Sequence, residues 1–169
     1  MFNILITFIV VLTLSRPTSA QELFPDKCIG NWEGTMYIYG TGVLRDSVPV
    51  RMTIARINDT AWTWKTNYLS PTRPMVKDYV FRLVDRAKHQ YVTDEGDGIL
   101  LAESVFGAKA YSVFETQGIL LTATYERRDD LLIFEVTSGK KNQAAGEVLS
   151  HPVTSLQSAI LRKTKNPRP

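Results

Sequence analysis

The chain has 169 residues, of which 20 are Lys or Arg and 17 are Asp or Glu, so its formal net charge at pH 7 is +3. This near balance excludes the strongly basic composition typical of nucleic-acid-binding domains, and we expect no nucleic-acid partner. The length is typical of one domain, and because Cys28 is the single cysteine, the fold depends on a hydrophobic core and not on an intramolecular disulfide.

The N-terminal segment has the features of an export signal. Residues 1–15 are nearly all apolar, but this run is too short to form a membrane-spanning helix, and no second apolar run could span a bilayer. The small residues Thr18, Ser19 and Ala20 follow it, as they do at a signal-peptidase cleavage site. We therefore predict that residues 1–20 are a signal peptide, and that the mature protein is soluble, has no integral membrane contact and is periplasmic or secreted. A retained N-terminal anchor is the alternative, because no Lys or Arg precedes the apolar run.

Apolar and polar residues alternate with a period of two along most of the remaining chain, which is typical of half-buried β-strands. One of the clearest examples places Trp62 and Trp64 on one face and Thr63 and Lys65 on the other. The alternation predicts strands at residues 32–39, 48–55, 62–68, 77–84, 90–93, 99–104, 110–116, 119–127, 131–138 and 158–163.

Turn signals separate these strands at hairpin-like intervals, as at Gly40-Thr41-Gly42 and Gln117-Gly118, and only residues 140–157 form a longer connection. No helical pattern is long enough to cover a sheet, so the sheet must protect its own edges by closing on itself. We therefore predict an all-β fold, an antiparallel up-and-down β-barrel of about 8–10 strands. It forms a single domain over residues 21–163, and residues 164–169 form a flexible basic tail.

Three features together resemble the calycin superfamily, which includes lipocalins, fatty-acid-binding proteins and nitrobindins. They are Gly30-Asn31-Trp32 at the first strand, the all-antiparallel meander, and a basic residue, Arg162, on the last strand. The resemblance implies that Trp32 lies on the floor of a lipocalin-like barrel and that Arg162 packs across its ring as a cation. The later Thr-Asp-Tyr motif of lipocalins is missing, since Asp78-Tyr79 comes too early, so the resemblance extends to the superfamily and to no single member.

A barrel of this size is either filled by its own side chains or holds one small apolar ligand. An aromatic-rich wall with a few phenol hydroxyls suits a flat or acyl ligand that is oriented by one or two hydrogen bonds. The predicted ligand-binding residues are Trp32, Met36, Met52, Ile54, Trp64, Tyr68, Tyr79, Phe81, Tyr91, Phe114 and Arg162. The same aromatic residues are equally compatible with a plain core, and an error of one residue in register would turn this set outward.

The search for catalytic and metal-binding patterns is mostly negative. The chain has two histidines, His89 and His151, so a His-rich metal site is excluded. Either histidine could be the axial ligand of the haem that the nitrobindin resemblance implies, and His151, just before the last strand, is the better placed. The acidic turn at residues 94–97 lacks the ligand spacing of a calcium loop. We expect no metal, no enzyme activity and, haem apart, no cofactor.

Three classes of function remain open on these grounds. The leading hypothesis is an exported, non-catalytic barrel that binds a small hydrophobic molecule. The second is a protein-interaction or inhibitor module with a filled barrel, whose loops or outward aromatic residues contact a protein partner. The third is a nitrobindin-like haem protein or an enzyme built on the same scaffold.

Overall fold

Ten strands form one closed antiparallel sheet in the computed structural model, which describes residues 22–140 and 149–164. The elements of the described residues are α1 (Phe24–Cys28), β1 (Gly30–Gly40), β2 (Val43–Asn58), β3 (Ala61–Tyr68), β4 (Met75–Asp85), β5 (Gln90–Gly96), β6 (Ile99–Phe106), β7 (Lys109–Thr116), β8 (Ile119–Arg128), β9 (Leu131–Lys140) and β10 (Ser155–Lys163). The predicted signal peptide and all but the first residue of the predicted tail lie outside the described residues.

Each strand pairs with its neighbours in sequence, and β1 pairs with β10 to close the barrel. The predicted up-and-down barrel is therefore confirmed. At one end, the two-residue loops Thr41-Gly42, Asp97-Gly98 and Gln117-Gly118 have positive φ at both positions. Such loops match the right-handed twist of paired strands, so they connect the strands as tight hairpins. We call this end of the barrel, together with the β3–β4 loop, the open end.

The other end is covered by α1, a five-residue helix that the sequence pattern did not predict. Phe24 and Cys28 on this helix are buried against the barrel interior. The indole N–H of Trp62 donates a hydrogen bond to Asp26 Oδ1 at 2.8 Å, and the Arg127 Nε–H donates one to the Lys27 carbonyl at 3.0 Å. We call this covered end the closed end of the barrel.

The strands differ from their predicted bounds mainly in β2. This strand begins at Val43, whereas the alternation begins at Val48. A register shift opposite Ile38 and Tyr39 marks a β-bulge near Arg45, and the extra residue breaks the period of two that a sequence pattern needs. The predicted tail begins at Thr164. The backbone N–H of this residue donates a hydrogen bond to the Asn31 carbonyl at 2.8 Å, so the first residue of the predicted tail is bonded to β1.

Inward side chains from nearly every strand fill the closed half of the barrel. The largest of these fully buried side chains are Trp32, Met36, Met52, Ile54, Trp62, Trp64, Phe81, Leu132 and Leu161. The register of the sequence-based strands is therefore correct for β1 to β4, because their predicted inward faces are the buried ones. No helix among the described residues is long and apolar enough to cross a membrane.

The pairing of β6 with β7 is much shorter than the other ladders of the described barrel. Its register contains three pairs, Ser104 with Tyr111, Val105 with Ala110 and Phe106 with Lys109, all near the closed end. Beyond them the two strands separate toward the open end, where the hydroxyl of Ser112 donates to the carbonyl of Ala102 at 2.8 Å. The barrel wall is consequently least continuous beside its open half.

Candidate ligand-binding cavity

The open half of the barrel contains a cavity of about 420 Å³ between the aromatic core and the loops of the open end. Because side chains alternate along each strand, every second residue of the surrounding strands contributes to its wall. The apolar part of this wall includes Met36, Leu101, Phe114, Leu121, Phe134 and Val136. A cavity of this size with a mainly apolar wall suits one small molecule.

Stacked aromatic rings separate this cavity from α1. Phe81 stacks on Trp64 with ring centroids 4.8 Å apart and on Tyr91 at 4.9 Å. Tyr125, which lines the cavity, stacks on Phe134 at 4.6 Å and meets Trp64 edge to face at 5.3 Å. These contacts form a rigid floor, so a ligand would rest on the faces and edges of aromatic rings.

The predicted ligand-binding residues divide into three groups in the structure. The cavity is lined by Met36, Tyr68, Tyr79 and Phe114. The core beneath it contains Trp32, Met52, Ile54, Trp64, Phe81 and Tyr91. Arg162 is exposed on the outer face of the barrel. Ligand contact by the four lining residues stays a prediction, and the second group forms the support of the site.

The prediction that Arg162 packs across Trp32 is wrong by one position. Leu161 is 1% exposed and points inward, so Arg162 points outward and Lys163 inward. The Lys163 Nζ lies 5.4 Å from the centre of the Trp32 ring, and the guanidinium carbon of Arg127 lies 4.9 Å from it. Trp32 thus lies at the closed end of the barrel, with two cations near its ring. Its indole N–H also donates a hydrogen bond to the Cys28 carbonyl at 2.8 Å.

Glu103 is the deepest charged residue of the cavity wall, and the sequence analysis missed it. Its side chain is inward like those of Leu101 and Val105, and the residue is 4% exposed. The Thr93 hydroxyl donates to its Oε1 at 2.9 Å, whereas Oε2 has no hydrogen-bond partner in the described part of the chain. Burial raises the pKa of Glu103 to about 7, against the opposing effect of the Thr93 hydrogen bond. Apolar residues occupy both faces of β6, for example Leu100 and Leu101, so no local pattern marked Glu103 as inward.

The polar side chains nearer the open end are Lys77, Tyr79 and Glu95. The Lys77 Nζ lies 5.6 Å from the centre of the Tyr79 ring. Burial, and then the charge and hydrogen bond of Glu95, raise the pKa of Tyr79 above its usual range. Burial also raises the pKa of Tyr68 and Tyr125, so the three phenols that line the cavity are neutral hydrogen-bonding groups at physiological pH.

The two histidines lie apart from this cavity. His89 is in the exposed turn between β4 and β5 at the closed end, and His151 is half-buried before β10; neither is among the residues that line the cavity. The described cavity therefore does not fit a histidine-ligated haem. Among the described residues, no group of three or more His, Cys, Asp or Glu is placed to hold a metal ion. Burial raises the pKa of the Cys28 thiol to about 12, which removes it as a nucleophile.

Comparison with known proteins relates this chain to others by fold. No protein-family model matches it, and no curated protein shows a significant match. Among solved structures, an S-type phycobiliprotein lyase from Guillardia theta is similar with a TM-score of 0.62 at 8% identity, over 85% of this chain and 92% of the lyase. Rv2717c from M. tuberculosis is similar with a TM-score of 0.56 at 13% identity, over 82% of this chain and 94% of that protein.

A protein of unknown function from the DUF3598 family of Nostoc punctiforme has the same fold, with a TM-score of 0.58 at 12% identity. The match covers 83% of this chain and 49% of that larger protein. Together with the closed ten-strand sheet, these likenesses show that the chain shares its fold, the closed antiparallel β-barrel that the sequence predicted, with these proteins.

Proposed function

We propose that this protein is an exported, non-catalytic barrel that binds one small hydrophobic molecule in the cavity of its open half. The observation that supports this most directly is the cavity itself, about 420 Å³ with a mainly apolar wall above a packed aromatic floor. A protein that acted only through its outer surface would have no need of this space, because filling it with larger side chains would stabilise the fold. The filled-barrel alternative is accordingly less favoured.

The non-catalytic part of the proposal depends on the groups that line the cavity. The name of the phycobiliprotein lyase indicates that this fold also supports an enzyme, so the fold alone does not decide the matter. Within the described wall, Glu103 has a threonine hydroxyl as its partner, and no histidine or cysteine lines the cavity. A carboxyl group of this kind can hold a ligand, and it makes no hydrogen bond with Lys77, Tyr79 or Glu95, the other acid–base groups named in the described wall, which lie nearer the open end.

Export to the periplasm or the outside of the cell is proposed from the sequence of residues 1–20. Mass spectrometry of the protein from its natural source would give the N-terminus of the mature chain, which we expect to be Gln21. The same sample, measured under native conditions, would show whether a small molecule travels with the protein. A mature chain that still began at Met1 would contradict cleavage.

Binding in the cavity is tested with Nile red, an uncharged dye whose fluorescence rises in apolar surroundings. We expect saturable binding of one dye per protein. Ala123 lines the cavity, and Ala123→Trp should fill it and abolish the fluorescence rise. Ala55 is exposed on β2, and the matched variant Ala55→Trp should bind the dye like the wild type. No saturable binding by the wild type, or equal binding by the Ala123→Trp variant, would overturn the proposal.

A further inference from the structure

Glu103 is unusual because its carboxylate lies deep in a mainly apolar cavity with one oxygen unpaired among the described residues. Its Oε1 accepts a hydrogen bond from Thr93, but Oε2 has no partner among the described residues, and the residue is 4% exposed. Buried polar atoms in native proteins are nearly always hydrogen-bonded, because leaving one unpaired is costly. An unpaired acceptor in the wall of a binding cavity indicates that the bound molecule supplies the donor.

The charged and titratable groups around Glu103 indicate which kind of hydrogen-bond donor a bound molecule would supply. The titratable groups that face it from the surrounding strands are Tyr68 on β3, Lys77 and Tyr79 on β4, Tyr91 and Glu95 on β5, and Tyr125 on β8. Of these, Lys77 alone is cationic, and it lies toward the open end beside the Tyr79 ring. Burial and the Thr93 hydrogen bond account for the perturbed pKa of Glu103, with no contribution from a cation.

A carboxylate ligand is poorly matched to these surroundings. If its negative end reached the base of the cavity, it would meet Glu103 there, whereas Lys77, the cation of the described wall, lies toward the open end beside Tyr79. A protonated nitrogen would instead give Oε2 its missing donor and pair with the charge of Glu103. The neighbouring aromatic faces of Tyr125 and Phe134 also attract a cation.

We propose that the cavity selects an apolar molecule whose buried end carries a protonated amine, and that Oε2 of Glu103 accepts a hydrogen bond from that amine. This inference rests on the proposed function, because it names the chemical class of ligand for the same cavity. Glu103 is the specificity-determining residue at the base, and the apolar wall holds the hydrocarbon part of the molecule.

The binding of an amine depends on pH in a direction that distinguishes it from other ligands. A nearby ammonium group lowers the pKa of Glu103, so an amine binds best when Glu103 is ionised, and below pH 7 this carboxyl must release a proton first. The affinity for the amine should therefore fall by up to about tenfold for each pH unit below 7. A fatty acid should show the opposite trend, because two carboxyl groups can approach each other more easily when protonated.

Displacement of Nile red by three probes with the same chain, decylamine, decanol and decanoate, tests the inference. At pH 8 we expect half-displacement by decylamine at a concentration roughly tenfold lower than by decanoate. Decanol is the uncharged reference, and the advantage of decylamine over decanol should shrink at pH 6.

Glu103→Gln keeps the shape of the side chain and removes its charge. In this variant decanol should still displace the dye, and decylamine should lose its advantage, which is its lower half-displacement concentration compared with decanol. Glu115→Gln is the matched control, because it removes an exposed carboxylate on β7 that is not among the residues lining the cavity, and it should leave the advantage in place. An unchanged near-ultraviolet circular dichroism spectrum would show that both variants are folded.

The outcomes separate the two proposals. If decanol or decanoate displaces the dye and decylamine has no advantage at pH 8, or if the Glu103→Gln variant keeps that advantage, then the amine inference is wrong and ligand binding stands. If Nile red does not enter the wild-type cavity, both proposals fail. An advantage that depends on Glu103 and falls with pH supports the amine.

Discussion

Trp32 connects β1 to α1, β8 and β10 at the closed end of the described barrel. Its ring lies 4.9 Å from the guanidinium carbon of Arg127 on β8 and 5.4 Å from Lys163 on β10, while its indole N–H bonds to the carbonyl of Cys28 on α1. Arg127 in turn donates hydrogen bonds to the carbonyls of Lys27 and Leu131. One aromatic residue and one arginine thus connect the helix and four strands, β1, β8, β9 and β10, at the closed end.

Replacement of Arg127 by methionine tests the stabilising role of this contact. Arg127→Met keeps much of the apolar stem but removes the cation–π contact and both hydrogen bonds, so the free energy of unfolding should fall by about 1–3 kcal/mol. Arg162→Met on the exposed face is the matched control and should change it by less than about 0.5 kcal/mol. Urea denaturation measures both values. Equal effects of the two substitutions would contradict the assignment of Arg127 as the stacking cation.

Glu103 should give the protein an unusual dependence of stability on pH. Its pKa is about 7 in the folded protein, compared with an ordinary value of 4.5, so the folded state holds the proton more tightly than the unfolded state does. Between these values only the folded state is protonated, and its contribution to stability decreases as pH rises, by about 3 kcal/mol in total. Above pH 7 the carboxylate is charged in both states, and the burial cost is fully present.

Urea unfolding at pH 5 and at pH 7.5, in the wild type and in the Glu103→Gln variant, measures this contribution. Since glutamine does not titrate, the variant should gain stability relative to the wild type at the higher pH, and the difference should be much smaller at pH 5. Other groups titrate in both proteins and cancel in the comparison. A constant difference between the two proteins at both pH values would show that Glu103 is not protonated more readily in the folded state.

The strands were predictable because their signal is local. Period-two alternation and two-residue turns are visible in short windows, and closure follows from the lack of any covering helix. The helix α1 was missed because five residues are too few to show helical periodicity, and its place depends on burial of Phe24 against Trp64 and Phe81. Likewise, Arg127 lies on the same face of β8 as Ala123 and Tyr125, but its proximity to Trp32 is a tertiary contact that no local pattern encodes.

At the scale of elements, the incomplete pairing of β6 with β7 makes one part of the wall different from the rest. The described ladder between them has three pairs, whereas β8 and β9 are paired without interruption from Ile119 with Lys140 to Arg128 with Leu131. The Val105 N–H is directed to the His89 carbonyl beside β5, so alternate residues of β6, including Ala102, direct their N–H toward β7. Near the open end these amides lie beyond the three paired positions of the described β6–β7 ladder.

Amide hydrogen exchange measured by NMR should show this difference directly. We expect the amide of Ala102 to exchange roughly 10- to 100-fold faster than that of Ala123, which lies on a strand paired on both sides. The comparison of two alanines removes most of the effect of side-chain type on intrinsic exchange. Similar protection at both positions would mean that β6 and β7 pair along their whole length in solution.

At the scale of the whole molecule, the packed core and the proposed binding cavity lie in opposite halves of one barrel. The closed half is filled by tryptophan, methionine and leucine side chains and is tied to α1, whereas the open half surrounds the cavity and ends in exposed apolar residues such as Leu69, Met75 and Ile99. The same β-strands run through both halves, so the division depends on side-chain size along each strand. The same type of substitution should therefore change mainly the stability in the closed half and mainly the ligand affinity in the open half.

Two leucine-to-alanine substitutions test this division. Leu132 is fully buried in the closed half, and Leu132→Ala should lower the free energy of unfolding by about 2–5 kcal/mol, because it leaves a cavity in a packed core. Since Leu132 is not among the residues that line the cavity, the Nile red affinity of the folded protein should stay within about twofold of the wild-type value. Leu121 lines the cavity, so Leu121→Ala enlarges an existing space and should cost less than about 1 kcal/mol, while it changes the dye affinity more than Leu132→Ala does.

Urea denaturation and dye titration of the same two variants give both quantities under matched conditions. The informative result is a large loss of stability with little change of affinity in Leu132→Ala, and the opposite in Leu121→Ala. A substitution that merely loosened the whole barrel would change the free energy of unfolding and the dye affinity together. If Leu132→Ala weakened dye binding as much as Leu121→Ala did, the aromatic floor between the two halves would not be the rigid support that its stacked rings imply, and the site would have to include the closed end. If the two effects separate, the closed half can be regarded as a scaffold whose composition is set by packing, and the search for specificity is confined to the side chains above Trp64 and Phe81.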